Sequence, residues 1–360
     1  MKITILSVIA CLAFATNLNA NESNSKDFQL LDSIDQMAEA EISMNLNLDF
    51  AAMNLDSQSL STTKLTINND NMGSVRNPRI RRILQREIRA KNVGEAMSIK
   101  RTGLTFVESL RDFHDLASIP FNSPTDAYRD ARGEFILAHI DPVMHLEYSP
   151  RLITSMELDL RTVNHVIALK RKAIRMAYNL FEYNRLMELE FQKPSDAMKQ
   201  ALGKLIGETI LIVPITDRFN FNDIEFLASD LEPKTRSISD ALAVKRALYR
   251  NVTNLRQFHA ASVIYLSKPT DAYKERNGDQ ISREIIQHVK PRSSIRNLIR
   301  IEGLTKLVPQ AIAVKQAGLV AAGTPERFWR LTEYAFRSPT DAYKNAVTRF
   351  IGQYASSYGK

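Results

Sequence analysis

The chain is 360 residues long and carries 48 lysines and arginines against 40 aspartates and glutamates, a net charge of +8, with a single cysteine. A chain of this length can bury a sizeable core without covalent cross-links, and one cysteine excludes an internal disulfide framework.

Met1-Lys2 is a minimal basic start, Ile3 to Phe14 is almost wholly apolar, and Ala15 to Ala20 turns small and polar before Asn21-Glu22. This is the layout of a secretory signal cleaved after Ala20, too short to span a bilayer. The cysteine, Cys11, lies inside it. Val8-Ile9-Ala10-Cys11 loosely matches a lipoprotein box, but the apolar run continues through Leu12, Ala13 and Phe14, as in an uncut signal. The expectation is a Sec-exported chain, periplasmic or secreted, free of cysteine once processed, with no later apolar stretch long enough to cross a membrane.

Residues 21–77 form a polar arm. Phe28, Leu31, Ile34, Ala38 and Ile42 follow one helical face, predicting a helix over 27–44. Asn45 to Asn77, rich in Asn, Ser, Asp and Thr, reads as a linker. Residues 21–76 hold nine acidic side chains against three basic ones. With the chain at +8 and Lys2 in the signal, residues 77–360 carry +13. An acidic arm precedes a basic body.

That body repeats itself. Pro124-Thr125-Asp126-Ala127-Tyr128 recurs as Pro194-Ser195-Asp196-Ala197-Met198, as Pro269-Thr270-Asp271-Ala272-Tyr273 and as Pro339-Thr340-Asp341-Ala342-Tyr343, at intervals of 70, 75 and 70 residues. A lysine stands 24 residues before each proline: Lys100, Lys170, Lys245 and Lys315. An aromatic stands 11 before it: Phe113, Tyr183, Phe258 and Phe328. The predicted fold class is all-α: four tandem helical units of about 70 residues, at 78–147, 148–217, 218–292 and 293–360, forming an α-solenoid-like array or a compact bundle array. In each unit a short helix precedes one long helix that runs from the lysine block almost to the proline, and another helix follows the proline. Gly323-Thr324-Pro325 interrupts the long helix of the fourth unit.

The proline motif reads as a helix start, with Ser123 capping in the first unit, proline in the first turn, and Asp126, Asp196, Asp271 and Asp341 as capping acids. Lys193 and Lys268 replace the capping serine in the second and third units, where Ser195 or Thr270 takes its place. The four lysines border the apolar stripe. Two readings stand: they satisfy carbonyls or acids of a neighbouring helix, or they form a basic row that binds an anionic ligand. The densest set of metal-ligand residue types is His139, Asp141, His145 and Glu147, which fits no recognised zinc spacing. His165 and His288 stand isolated. No Gly-rich phosphate loop, His-Glu-x-x-His or Gly-x-Ser-x-Gly is present, so no catalytic residue and no cofactor is assigned.

The leading expectation is a non-enzymatic exported binding scaffold whose basic body contacts an envelope protein, a cell-wall polymer or an anionic lipid surface; nucleic acid is not the expected partner. One alternative is an envelope-acting enzyme with its site near His139–Glu147. The other is a structural protein that self-assembles through its repeats or through a terminal helix at Thr348 to Tyr358.

Overall fold

A computed structural model describes residues 74–358 except 122, 216 and 217. The signal, the helix over 27–44 and most of the linker lie outside the described residues.

Among the described residues there are sixteen α-helices and no strand. They come in four successive sets of four. The first set is α1 (Pro78–Glu87), α2 (Val93–Gly103), α3 (Leu110–Ala117) and α4 (Asp126–Leu146). The second is α5 (Pro150–Glu157), α6 (Val163–Ile174), α7 (Leu180–Leu186) and α8 (Asp196–Thr209). The third is α9 (Phe221–Leu231), α10 (Ile238–Tyr249), α11 (Leu255–Ser262) and α12 (Asp271–His288). The fourth is α13 (Ile295–Glu302), α14 (Val308–Ala322), α15 (Pro325–Leu331) and α16 (Asp341–Tyr354). No described helix is long and apolar enough to cross a membrane.

Most of these helices are too short to persist alone in water, so their packing holds them. Each odd-numbered helix packs on the next odd-numbered one, from α1 to α15, and each even-numbered helix on the next even one, from α2 to α16. Every extensive helix–helix contact joins elements one or two apart in the chain. The result is two layers of helices, with the apolar core between and along them.

The expected long helix is instead two helices in every set. The reason is a polar residue nine positions after each lysine, which caps a new helix in preference to continuing the old one. Ser109 Oγ accepts the amide of Asp112 at 3.1 Å, Asn179 that of Glu182 at 2.9 Å, Asn254 that of Gln257 at 3.0 Å, and Thr324 that of Arg327 at 3.4 Å. Gly323, at φ +47°, ends α14 in the left-handed conformation, so the fourth set marks this break with glycine and proline where the others use only a cap. The apolar periodicity survives because both helices face one core.

The helix after the proline starts at the expected caps Ser195 and Thr270 in the second and third sets, and two residues later than expected in the first. Its cap is Thr125, Ser195, Thr270 or Thr340, whose hydroxyl accepts the amide three residues on at 3.2, 3.2, 3.2 and 3.3 Å. Proline therefore precedes the cap rather than opening the first turn, and Ser123 is not the cap. Asp126, Asp196, Asp271 and Asp341 are not capping residues either. They are the first helical residues, where their charge faces the positive end of the helix dipole.

Where α4 meets α6, the helices approach so closely that a Cβ on Gly133 would sit 2.4 Å from His165 Nδ1. Where α12 meets α14, a Cβ on Gly278 would sit 2.1 Å from Gln310 Oε1. Both glycines lie nine residues after the motif proline, and both partners five residues before the lysine. Across the 75-residue interval the equivalent partner, Asp240, lies over Gly207, one turn further along than Gly203. The five extra residues thus slide the contact by about one helical turn.

Candidate functional site

The four marked lysines do not form a solvent-facing row. Lys100, Lys170, Lys245 and Lys315 are each 0 % exposed. Each comes from the second helix of its set and meets a glutamate from the end of the first: Lys100–Glu87 at 2.9 Å, Lys170–Glu157, Lys245–Glu232 at 2.9 Å and Lys315–Glu302 at 3.0 Å. Each ammonium also donates to two carbonyls at the C-terminal end of the third helix. Lys100 donates to Leu116 at 2.6 Å and Ser118 at 2.8 Å, Lys170 to Leu186 and to Glu188 at 2.8 Å. Lys245 donates to Ala261 at 3.2 Å and Val263 at 2.6 Å, Lys315 to Leu331 at 2.7 Å and Glu333 at 2.8 Å.

The fourth helix completes the node. The tyrosine four residues after the motif proline donates its hydroxyl to the same glutamate: Tyr128 to Glu87, Tyr273 to Glu232 at 2.7 Å, and Tyr343 to Glu302. Four consecutive helices thus converge on one buried ion pair. Lysine has three N–H donors, and three acceptors surround it. Its charge also faces the negative end of a helix dipole. These hydrogen bonds offset the desolvation that makes buried ion pairs costly. Burial still pulls all four lysines below the usual range, against the pull of the paired glutamates.

The second node differs. Met198 stands where the others have tyrosine, and Glu157 Oε2 is buried without a hydrogen-bond partner. Burial pushes the Glu157 carboxyl up to about 7; Lys170 pulls it back and Glu190 adds to the rise. Each lysine is fully buried with its three donors engaged inside the protein, which leaves no approach for a ligand. The geometry makes these four sites ties between helices and corrects the reading of the lysines as ligand-binding residues.

The glutamates are the residues that sequence reasoning missed, although Glu87, Glu157, Glu232 and Glu302 stand 13 residues before each lysine without exception. The signal was a constant spacing upstream of the marked residue. The tyrosines stand inside the proline motif in three of the four units, where spacing alone does not show what they reach.

The other candidates scatter. His139 packs against the Phe135 ring at 5.0 Å, with its pKa lowered by burial and by Arg101. Asp141 pairs with Lys172, and Glu147 accepts the Leu110 amide at 3.1 Å. His145 is exposed. Among the described residues no group of three or more His, Cys, Asp or Glu is placed to hold a metal, so the proposed metal set is corrected. One α-helical stretch carries all but one of the four residues; Asp141 and His145 share a face of it, His139 points away from them, and Asp141 and Glu147 are each taken up by other partners. The aspartates of the proline motif face outward, where Asp126 meets Arg161 at 3.1 Å and Asp271 meets Lys306 at 2.8 Å. Two histidines that look isolated in the sequence have partners: His165 meets Glu134 at 3.0 Å, and His288 lies 4.8 Å from the Phe258 ring. Compared with protein-family models, curated proteins and solved structures, the chain matches none of them.

Proposed function

We propose that this is an exported scaffold of four tandem helical units, 78–147, 148–217, 218–292 and 293–360, whose basic surface holds an anionic partner in the cell envelope. The observation that carries the reading is the recurrence of one buried Lys–Glu node, each in the same four-helix setting. Such nodes spend the chemistry of the repeat on rigidity and leave the outer faces of the layers for contact. The leader at residues 1–20 supports an envelope or extracellular address, and the +13 charge of residues 77–360 supports an anionic partner.

Self-assembly through the C-terminal helix is less well supported. On α16, Lys344, Asn345, Thr348, Arg349 and Gln353 are exposed, a polar face that gives a second copy little apolar surface to bury. The test is binding of the chain from Asn21 onward to washed cell envelopes. The expected result is retention at about 50 mM salt and release at about 500 mM, where charges are screened beyond a few ångströms. Retention that ignores salt overturns the reading.

A further inference from the structure

We infer that the outer face of α1 is a docking surface for an anionic phospholipid bilayer, an inference that rests on the reading of the body as an anion-binding scaffold. Residues 76–91 contain Arg76, Arg79, Arg81, Arg82, Arg86, Arg89 and Lys91, against a single acid, Glu87. That acid is buried and committed to Lys100 and Tyr128, so it neutralises nothing at the surface. Ile80, Ile83, Leu84 and Glu87 take the inner face of the helix. Arg79, Arg82 and Arg86 are exposed and fall within about 60° of arc on the opposite side, with Arg89 continuing the row just past the helix end.

Among the described residues, none of Arg76, Arg79, Arg82, Arg86 and Arg89 lies within ion-pair distance of an acid. Some cations elsewhere on the surface, Arg161, Arg171, Lys172, Lys234 and Lys306 among them, are paired. Arg79 lies 5.6 Å from the Phe106 ring centroid, a contact that does not consume its N–H donors. Leaving four or five like charges side by side on one short helix costs self-repulsion unless an anion neutralises them.

The form of the surface selects the anion. Arginine forks match phosphate oxygens two at a time. A small anion is held in a concave site, whereas this row stands on the exposed face of a helix. A protein interface needs a broad apolar centre, whereas beside the arginines only Pro78 and Gln85 are exposed within the helix and Ile88 just past its end. A flat field of phosphates fits a row of guanidinium groups that carries much charge and little apolar surface.

The test is co-sedimentation of the chain from Asn21 onward with phosphatidylcholine vesicles, plain or carrying about one-quarter phosphatidylglycerol. Binding is expected to the anionic vesicles alone and to vanish at about 500 mM salt. Arg79→Gln/Arg82→Gln/Arg86→Gln is expected to weaken it on the order of 100-fold, about fivefold for each arginine, with unchanged circular dichroism. Arg296→Gln/Arg300→Gln/Arg330→Gln, equal in charge and on the exposed surface of α13 and α15, is expected to bind like the parent. Anionic-vesicle binding that survives the α1 triple variant, or falls equally in both triples, overturns the α1 assignment and leaves the scaffold reading standing. Salt-sensitive binding to soluble polyphosphate without vesicle binding overturns the bilayer in favour of a polymer. Binding to neither overturns the scaffold reading itself.

Discussion

At the scale of single residues, the buried lysine is where this protein commits its charge. Removing one partner of a buried ion pair strands the other, at a cost of about 3–5 kcal/mol. Lys245→Met is therefore expected to lower stability by that amount in denaturant unfolding, because Glu232 and the carbonyls of Ala261 and Val263 lose their donor. Lys245→Met/Glu232→Leu is expected to recover part of the loss; no recovery in the double variant sinks the ion-pair account.

The second node predicts a pH dependence. With the folded Glu157 carboxyl raised to about 7, both states hold the proton well below the ordinary carboxylate pKa. As pH rises towards 7, the unfolded chain releases it first, so stability is lost across that interval. Met198→Tyr supplies the hydroxyl that the other nodes have, stabilises the carboxylate and lowers its pKa. The expected outcome is a Tm about 2–4 °C higher near pH 7.5, with little change near pH 5. Equal shifts at both pH values count against a titrating Glu157.

At the scale of elements, the caps and close approaches decide where helices end and how near they come. Thr270→Ala is expected to cost about 1 kcal/mol through loss of its bond to the Tyr273 amide. The exposed Asp341→Asn loses a first-turn dipole contact and a solvent-screened pair with Lys344, together about 0.3–1 kcal/mol. Gly133→Ala drives a methyl group into the His165 ring and is expected to cost about 1–3 kcal/mol. The position equivalent to Gly133 in the fourth set is Thr348, exposed on α16, so Thr348→Ala is expected to stay within about 0.5 kcal/mol of the parent. Thermal denaturation of these variants side by side checks all four expectations.

At the scale of the whole molecule, each extensive contact reaches only one or two helices along the chain. Stability in such an array is close to a sum of local and nearest-neighbour contributions. A chain ending at Val289 is expected to keep a cooperative melt and the far-UV signature of its remaining helices. Loss of all cooperativity would show that the contacts are global after all. Sedimentation across a concentration range is expected to show a monomer, since the outward face of the last helix is polar.

The sequence by itself determined the all-helical class, the spacing of the marked residues and the position of the tyrosine motif, because periodicity and capping chemistry are local. It also held the clue to the ion pairs, in a glutamate at a constant distance before each lysine. What it did not disclose was that the chain turns between Lys100 and Phe113. A straight helix there carries the lysine far from the carbonyls of Leu116 and Ser118; the break at Ser109 brings them within 2.6 and 2.8 Å. Only the tertiary structure decided whether the lysines face solvent or core, since an edge position on a helical wheel fits both and the neighbouring helix settles it. The same holds for α1. Its arginines are plain in the sequence, but that Arg79, Arg82 and Arg86 turn outward while Glu87 turns in towards Lys100 follows from the packing of the helix.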